Sequence, residues 1–305
     1  MTQVRESPSA PEKKARARNA MSVDVEDYFQ VSAFAAKVER ADWDKLPLRL
    51  ERSMDTIRHL FDDHGTKATF FTLGWVAERL PQVIRRIVAS GHELASHGFE
   101  HVKVHDQDKE TFRADVRRSK AILEDVGGVS VKGYRAASFS IDGRTPWAFE
   151  TLAEEGYIYS SSVYPIRHDH YGMPDAPRFG FQPEGSRGLL ELPITTVRFA
   201  GLNLPCGGGG YFRLLPYGYT RWGLGRVNRR DGQACIFYFH PWELDPAQPR
   251  LPGLPRRARF RHYTNLERME GRLRRVLSDF DWDRVDRVFL AQDPAVGRQD
   301  RRAAL

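Results

Sequence analysis

The stretch "KATFFTLGWVAERLPQVIRRIVASGHELASH", residues 67–97, decides the fold. Residues 67–74 are an apolar, β-branched and aromatic run ending in glycine, which predicts a strand. Residues 77–91 read as a helix stopped by Gly91. Residues 92–97 read as a further strand running into a loop. Strand, helix and strand in such quick succession make a βαβ unit, and therefore a parallel pair.

The same alternation continues on both sides. Met21–Val25 predicts a first strand. Leu46, Leu50, Met54, Ile57, Leu60 and Phe61 recur at helical spacing over 46–63, with Gly65 as the stop. A second amphipathic helix spans 108–126, carried by Phe112, Val116, Ser119, Ile122, Leu123 and Val126 and closed by Gly127-Gly128. Residues 130–136 and 157–162 predict strands, with a helix opened by Thr145-Pro146 between them. After a long irregular region, residues 233–240 restore a core strand, 263–280 a helix and 286–291 a last strand. The irregular region, 165–220, is rich in proline, glycine and aromatics and reads as an elaborated loop with short strands. The pattern is α/β, a parallel sheet closed into a barrel. It predicts a disordered basic leader over 1–20, one domain over 21–292 and a tail over 293–305.

Composition agrees with one large enzyme-like domain: 305 residues, 41% hydrophobic and 29% charged, enough to bury a sizeable core. The net charge of +7 lies at the ends. Residues 1–20 hold five Lys/Arg against two acids and residues 250–305 fourteen Arg against eight, which leaves the body at −2. A body of that charge is no nucleic-acid surface; the basic C-terminal face reads first as a solvated arginine-rich helix, and otherwise suits peripheral contact with acidic lipid headgroups, nucleic acid or an anionic polymer. Two cysteines, Cys206 and Cys235, make no disulfide framework. Residues 1–20 lack the apolar core of a secretory signal. The longest uncharged run, 199–212, contains five glycines and is too short to cross a bilayer, so the expected location is the cytoplasm.

In a βα barrel, chemistry gathers where strands end. The first strand ends in "DVED" (24–27), three carboxylates whose mutual repulsion needs a compensating charge. The strand over 92–97 ends in "SHGFEH" (96–101), which places His97 and His101 four apart, as on one face of a helical turn. Two imidazoles and a carboxylate suit Zn²⁺ or another divalent ion with positions left open for water or substrate. Such an ion also lets neighbouring carboxylates stay ionised. His101/His105 repeats the spacing one turn farther from the strand end. Arg135, His240, Trp242 and Glu243 lie at other strand ends.

The ordered set of "DVED", "GHELASHGFEH" (91–101), "GYRAASFSI" (133–141) and "FYFHPWELDP" (237–246) resembles the polysaccharide deacetylases of the NodB-homology type, carbohydrate esterase family 4. "DVEDYFQV" (24–31), "YSSSVYPIRHDHYG" (159–172) and "GGGYFRLLPY" (208–217) resemble the subgroup associated with exopolysaccharide and exosortase loci. The resemblance spans roughly residues 20–290. It implies a distorted (β/α)7 barrel, a divalent metal that is most often zinc, and hydrolysis of N-acetyl groups on amino sugars. By motif it makes Asp24 the catalytic base, Arg135 the residue that orients that base and His240 the general acid. His97 and His101 become metal ligands.

The resemblance departs from the family in two places. Instead of adjacent aspartates or an Asp-x-Asp pair, Asp24 is followed by Val25, Glu26 and Asp27. Strand alternation turns Glu26 to the side of Asp24, but a strand that has already ended would turn Asp27 inward. Asp27 is the expected ligand, with Glu26 the alternative. Ser160 also stands where relatives often carry an aspartate. Tyr211, Phe212 and Trp242 are candidates for stacking on sugar rings, and "CGGGGYFR" (206–213) for a flexible rim; Glu243 receives no role. The implied partner is an N-acetylated polysaccharide or a lipid-linked oligosaccharide precursor, and no nucleic acid. Two other readings keep the same residues: a small-molecule amidohydrolase or deacylase on the same barrel, and a non-catalytic carbohydrate-binding assembly protein.

Overall fold

The structure, a computed structural model, describes residues 17–290 apart from 36 and 170. Its first half runs β1 (Arg18–Val25), α1 (Leu50–Asp63), β2 (Thr69–Thr72), α2 (Gly74–Arg79), α3 (Pro81–Ala89), β3 (Glu93–Ser96), α4 (Lys109–Gly127), β4 (Gly133–Tyr134), α5 (Trp147–Glu154) and β5 (Tyr159–Ser160). The second half adds β6 (Leu190–Glu191), β7 (Thr196–Phe199), β8 (Leu202–Pro205), α6 (Gly209–Leu214), α7 (Tyr217–Arg226), β9 (Ile236–Phe239), α8 (Arg256–Tyr263), α9 (Met269–Asp279) and β10 (Asp281–Asp283).

β1 is the hub. It is buried from Asn19 to Val25 and pairs in parallel with β2, β9 and β10. From β2 the parallel sheet continues through β3, β4 and β5 to β6 and curls into a distorted barrel. Strands buried on both faces favour aromatic and β-branched residues, which is why β2 (TFFT) and β9 (IFYF) contain no charged residue. The gap between β6 and β9 is filled by the glycine run. The Tyr238 N–H donates to the Gly207 carbonyl at 2.8 Å, and Gly208 bridges Tyr238. Gly208 has φ 109°, and a Cβ there would lie 2.0 Å from the Tyr238 carbonyl oxygen. The "CGGGGYFR" segment is thus a packed seam of the barrel and not a flexible rim. β7 and β8 form a separate antiparallel hairpin.

The helices cover the outside. α1 buries Leu50, Met54, Ile57, Leu60 and Phe61. α4 is capped by the Asp108 carboxylate, which accepts the Thr111 N–H at 2.8 Å, and ends at Gly128 with φ 65°. The expected helix over 77–91 is two helices, because Pro81 opens the second and forces Leu80 out of helical geometry (φ −127°, ψ 54°). The helix expected from 46 begins at Leu50, since Leu46 precedes Pro47 and is extended. Asp286–Leu290 is a helical turn and not the expected last strand; that edge is supplied by β10, and residue 291 lies outside the described residues. Of the expected leader, Arg18–Ala20 are strand paired with Asp281–Asp283, and 1–16 lie outside the described residues, as does the expected tail, 293–305. Among the described residues no helix is long and apolar enough to cross a membrane.

One sealed carboxyl makes stability depend on pH. Glu191 Oε1 accepts the backbone N–H groups of Ser162 (2.9 Å) and Val163 (2.8 Å), while Oε2 is buried without a partner. Burial pushes the carboxyl up to about 7. The folded state therefore binds more protons than the unfolded chain between the ordinary glutamate range and about 7. The contribution of the protonated form is full below that window and is lost as pH rises through it. Glu191→Gln should leave stability near wild type at pH about 4 and raise it by up to about 3 kcal/mol at pH about 8. Chemical denaturation at the two pH values checks this; a variant less stable at the higher pH refutes it.

Candidate active site

Asp24, the penultimate residue of β1, sits at the mouth of the barrel and is held by Arg135, which follows β4. Arg135 Nη1 donates to Asp24 Oδ1 at 2.5 Å and to Ser22 Oγ at 2.9 Å. Its Nε and Nη2 donate to the carbonyl (3.1 Å) and hydroxyl (3.0 Å) of Ser161, and its guanidinium lies 4.0 Å from the centre of the Phe71 ring. Arg135 is fully buried, so one aspartate oxygen is fixed from below. The other, Oδ2, faces His240 Nε2 at 3.9 Å.

Beside this pair, Glu26, His97 and His101 bring a carboxylate oxygen and two ring nitrogens within 4.8 Å of one another. His97 Nδ1 lies 2.8 Å from the Arg135 carbonyl. A carbonyl only accepts, so Nδ1 carries the proton and Nε2 presents a lone pair to the cluster. Burial pushes His97 down to about 4, which keeps the ring neutral. Glu26 Oε1 accepts the Trp242 indole N–H at 3.2 Å. Its Oε2 lies 2.9 Å from His101 Nε2 but is buried without a hydrogen bond of proper geometry. Burial disfavours the Glu26 carboxylate, yet the neighbouring histidines outweigh that and hold it at about 2. Two imidazoles and a buried carboxylate with a spare oxygen fit a divalent cation.

Asp27, the expected ligand, is elsewhere. The Glu26 N–H closes back on the Asp24 carbonyl at 3.0 Å, so the chain leaves the strand there and sends Asp27 toward α1. Asp27 Oδ2 accepts the N–H groups of Arg49 (2.7 Å) and Leu50 (3.0 Å), and Oδ1 that of Tyr28 (2.8 Å). It satisfies the open N–H groups at the start of α1. Asp27→Ala should cost roughly 3 kcal/mol by orphaning buried donors, with the metal content of the purified protein unchanged. Urea unfolding and elemental analysis check both halves, and loss of metal would return Asp27 to the cluster.

The histidines do not share a helical turn. They meet through a loop with Gly98 at φ 77° and His101 at φ 58°, anchored where Asp115 accepts the Phe99 N–H. His105 lies away from the cluster, beside Arg144 at 2.9 Å. Two further non-glycine residues with left-handed backbone, Ser138 and Phe139, follow Arg135, so backbone strain gathers around this mouth.

Three expected sugar-stacking residues separate. Phe212 is core, packed edge-on to Phe237. Trp242 is buried, stacked between His240 (5.1 Å) and His262 (4.1 Å), with its N–H on Glu26. Neither offers a free ring face. Tyr211 is half-buried beside His168, which stacks at 4.0 Å on the half-buried Tyr171; these rings stand on the mouth side of Phe139 and Tyr238.

Glu243, given no role from sequence, completes the site. Its Oε1 accepts from His240 Nδ1 at 2.8 Å, leaving Nε2 facing Asp24, and its Oε2 accepts from Arg213 Nε at 2.5 Å. Arg213 is buried and donates to the carbonyls of Arg261, His262 and Thr264, the end of α8. Burial pushes His240 down, but the Glu243 hydrogen bond and the surrounding carboxylates outweigh it and lift the imidazole to about 9. The i, i+3 spacing of His240 and Glu243 was the available signal, because His240 caps the short turn (Pro241–Leu244) that carries Glu243; Arg213 left no local signal.

Residues 42–155 match the sequence model of the polysaccharide deacetylase family, and residues 161–290 match a domain of unknown function, DUF3473. A peptidoglycan-N-acetylglucosamine deacetylase of Bacillus cereus is 31% identical over 88 residues, 28% of this chain and 32% of the relative. A chitooligosaccharide deacetylase of Sinorhizobium fredii is 51% identical over 39 residues, 13% of this chain and 18% of the relative. The chain thus spans under a third of the length of these curated relatives. The structure of Puue allantoinase superposes with a TM-score of 0.58 at 17% identity, covering 94% of this chain and 95% of that one, a likeness of fold. Residues 42–155 thus carry a polysaccharide deacetylase region, and the domain of unknown function that follows it, 161–290, carries His240, Glu243 and Arg213.

Proposed function

We propose that the protein is a hydrolase that removes N-acetyl groups from the amino sugars of an exopolysaccharide or its lipid-linked precursor. The observation that carries this reading is the facing pair Asp24 Oδ2 and His240 Nε2, 3.9 Å apart, beside the Glu26/His97/His101 cluster. A base and an acid on either side of one electrophilic centre are what amide hydrolysis requires. A divalent cation held by Glu26, His97 and His101, zinc by the chemistry of the donors, supplies Lewis acidity and a water of lowered pKa.

The chain's own residues do the proton work. Asp24 Oδ2 accepts the proton of the attacking water while Arg135 holds Oδ1 still. His240, protonated and aligned by Glu243, donates from Nε2 to the leaving amine, and acetate and a free amine leave. Tyr211 offers a half-buried ring on which a sugar ring can stack. The exopolysaccharide assignment is supported by the subgroup segments at 24–31, 159–172 and 208–217. Metal-loaded protein should release acetate from N-acetylated glucosamine oligomers; release from small amides alone would overturn the polymer reading.

A further inference from the structure

The residues between Asp245 and Glu267 hold five arginines (250, 256, 257, 259 and 261) and no acid. Among these, Arg261 pairs with Asp169 at 3.2 Å and Arg250 lies over the Tyr263 ring at 4.8 Å. Arg256, Arg257 and Arg259 are exposed on α8, and no acid among the described residues pairs with them. Phe260 projects from the same helix with 61% of its surface exposed. The opposite side of α8 is fixed: His262 and Tyr263 are buried, His262 stacks on Trp242, and Arg213 binds the carbonyls of the last turn. α8 is therefore a rigid helix beside the active-site mouth, with an outward face of one sign and one bare aromatic ring.

We propose that the outer face of α8 docks on an anionic lipid bilayer. Each part of the face matches one layer of such a surface. The three free guanidinium groups meet headgroup phosphates, with which they pair in bidentate fashion. Phe260 enters the boundary between headgroups and acyl chains, where aromatic rings on interfacial helices reside. Nothing in the described protein neutralises that charge or covers that ring, and an anionic bilayer does both at once. The docking holds whatever reaction the site performs, and it brings the mouth, through His262, Trp242 and His240, to the level of the lipid surface.

The test is co-sedimentation of the full chain with phosphatidylcholine vesicles, plain or with about one-third phosphatidylglycerol. Binding should require phosphatidylglycerol and weaken sharply between about 0.1 M and about 0.5 M salt. The triple change Arg256→Glu, Arg257→Glu, Arg259→Glu should weaken it on the order of a hundredfold or more. Phe260→Ser should weaken it several-fold without removing the salt dependence. The arginines and Phe260 make no part of the chemistry, so acetate release from a soluble oligosaccharide should match wild type. Equal sedimentation with plain vesicles, full binding by the triple variant, or capture by soluble polygalacturonate without capture by vesicles would each overturn the proposal.

Discussion

Asp24→Asn should lower kcat for acetate release by at least about a thousandfold while the protein keeps its fold and its metal. The expectation follows from the division of labour between the two oxygens. Oδ1 is committed to Arg135, and an asparagine amide oxygen can still accept that hydrogen bond. Oδ2 is the free oxygen that faces His240, and an amide nitrogen there cannot take a proton. Asp24 belongs to no ligand cluster, so elemental analysis should find the ion retained. A variant within tenfold of wild type would remove Asp24 from the base role. Metal loss in parallel with activity would make it a ligand.

Glu243→Gln should lower kcat on the order of a hundredfold with KM little changed. The carboxylate accepts from His240 Nδ1, so it sets which nitrogen carries the proton toward the leaving group and fixes the plane of the ring. Glutamine keeps the shape but points a donor at either His240 or Arg213, both of which need an acceptor from it. Glu243→Asp, which retains the charge, should recover part of kcat. Nitrogen NMR of His240 near neutral pH should show the doubly protonated imidazolium in wild type and a neutral fraction in Glu243→Gln. Removing the other partner acts differently: Arg213→Met strips Glu243 Oε2 of its buried partner and should cost about 3 kcal/mol of stability. A Glu243→Gln protein whose KM rises while kcat holds would make Glu243 a substrate contact instead.

What was legible in the sequence follows from where the physics is local. Parallel strands buried on both faces are rich in aromatic and β-branched residues, so β2 and β9 could be read directly, and their alternation with helices gave the barrel. Asp24, His97, Arg135 and His240 sit at strand ends, where motif and position coincide. The choice between Glu26 and Asp27 was not legible. It depends on the residue at which β1 stops, and on α1 starting at Leu50, whose open N–H groups claim Asp27 from across the fold. Trp242 and Phe212 were misplaced because composition marks an aromatic ring without saying which face is free. The glycine seam at 207–208 and the Arg213–Glu243 pair are long-range contacts between segments that each look ordinary alone.

Acetate release from N-acetylglucosamine oligomers, by protein stripped with chelator and then reconstituted with zinc, tests the centre of this reading when wild type is run beside Glu26→Gln. Glu26, His97 and His101 holding the ion predict release by reconstituted wild type, none by stripped protein and a loss of at least about a hundredfold in Glu26→Gln. Wild-type rates in Glu26→Gln, or rates untouched by the chelator, would contradict it.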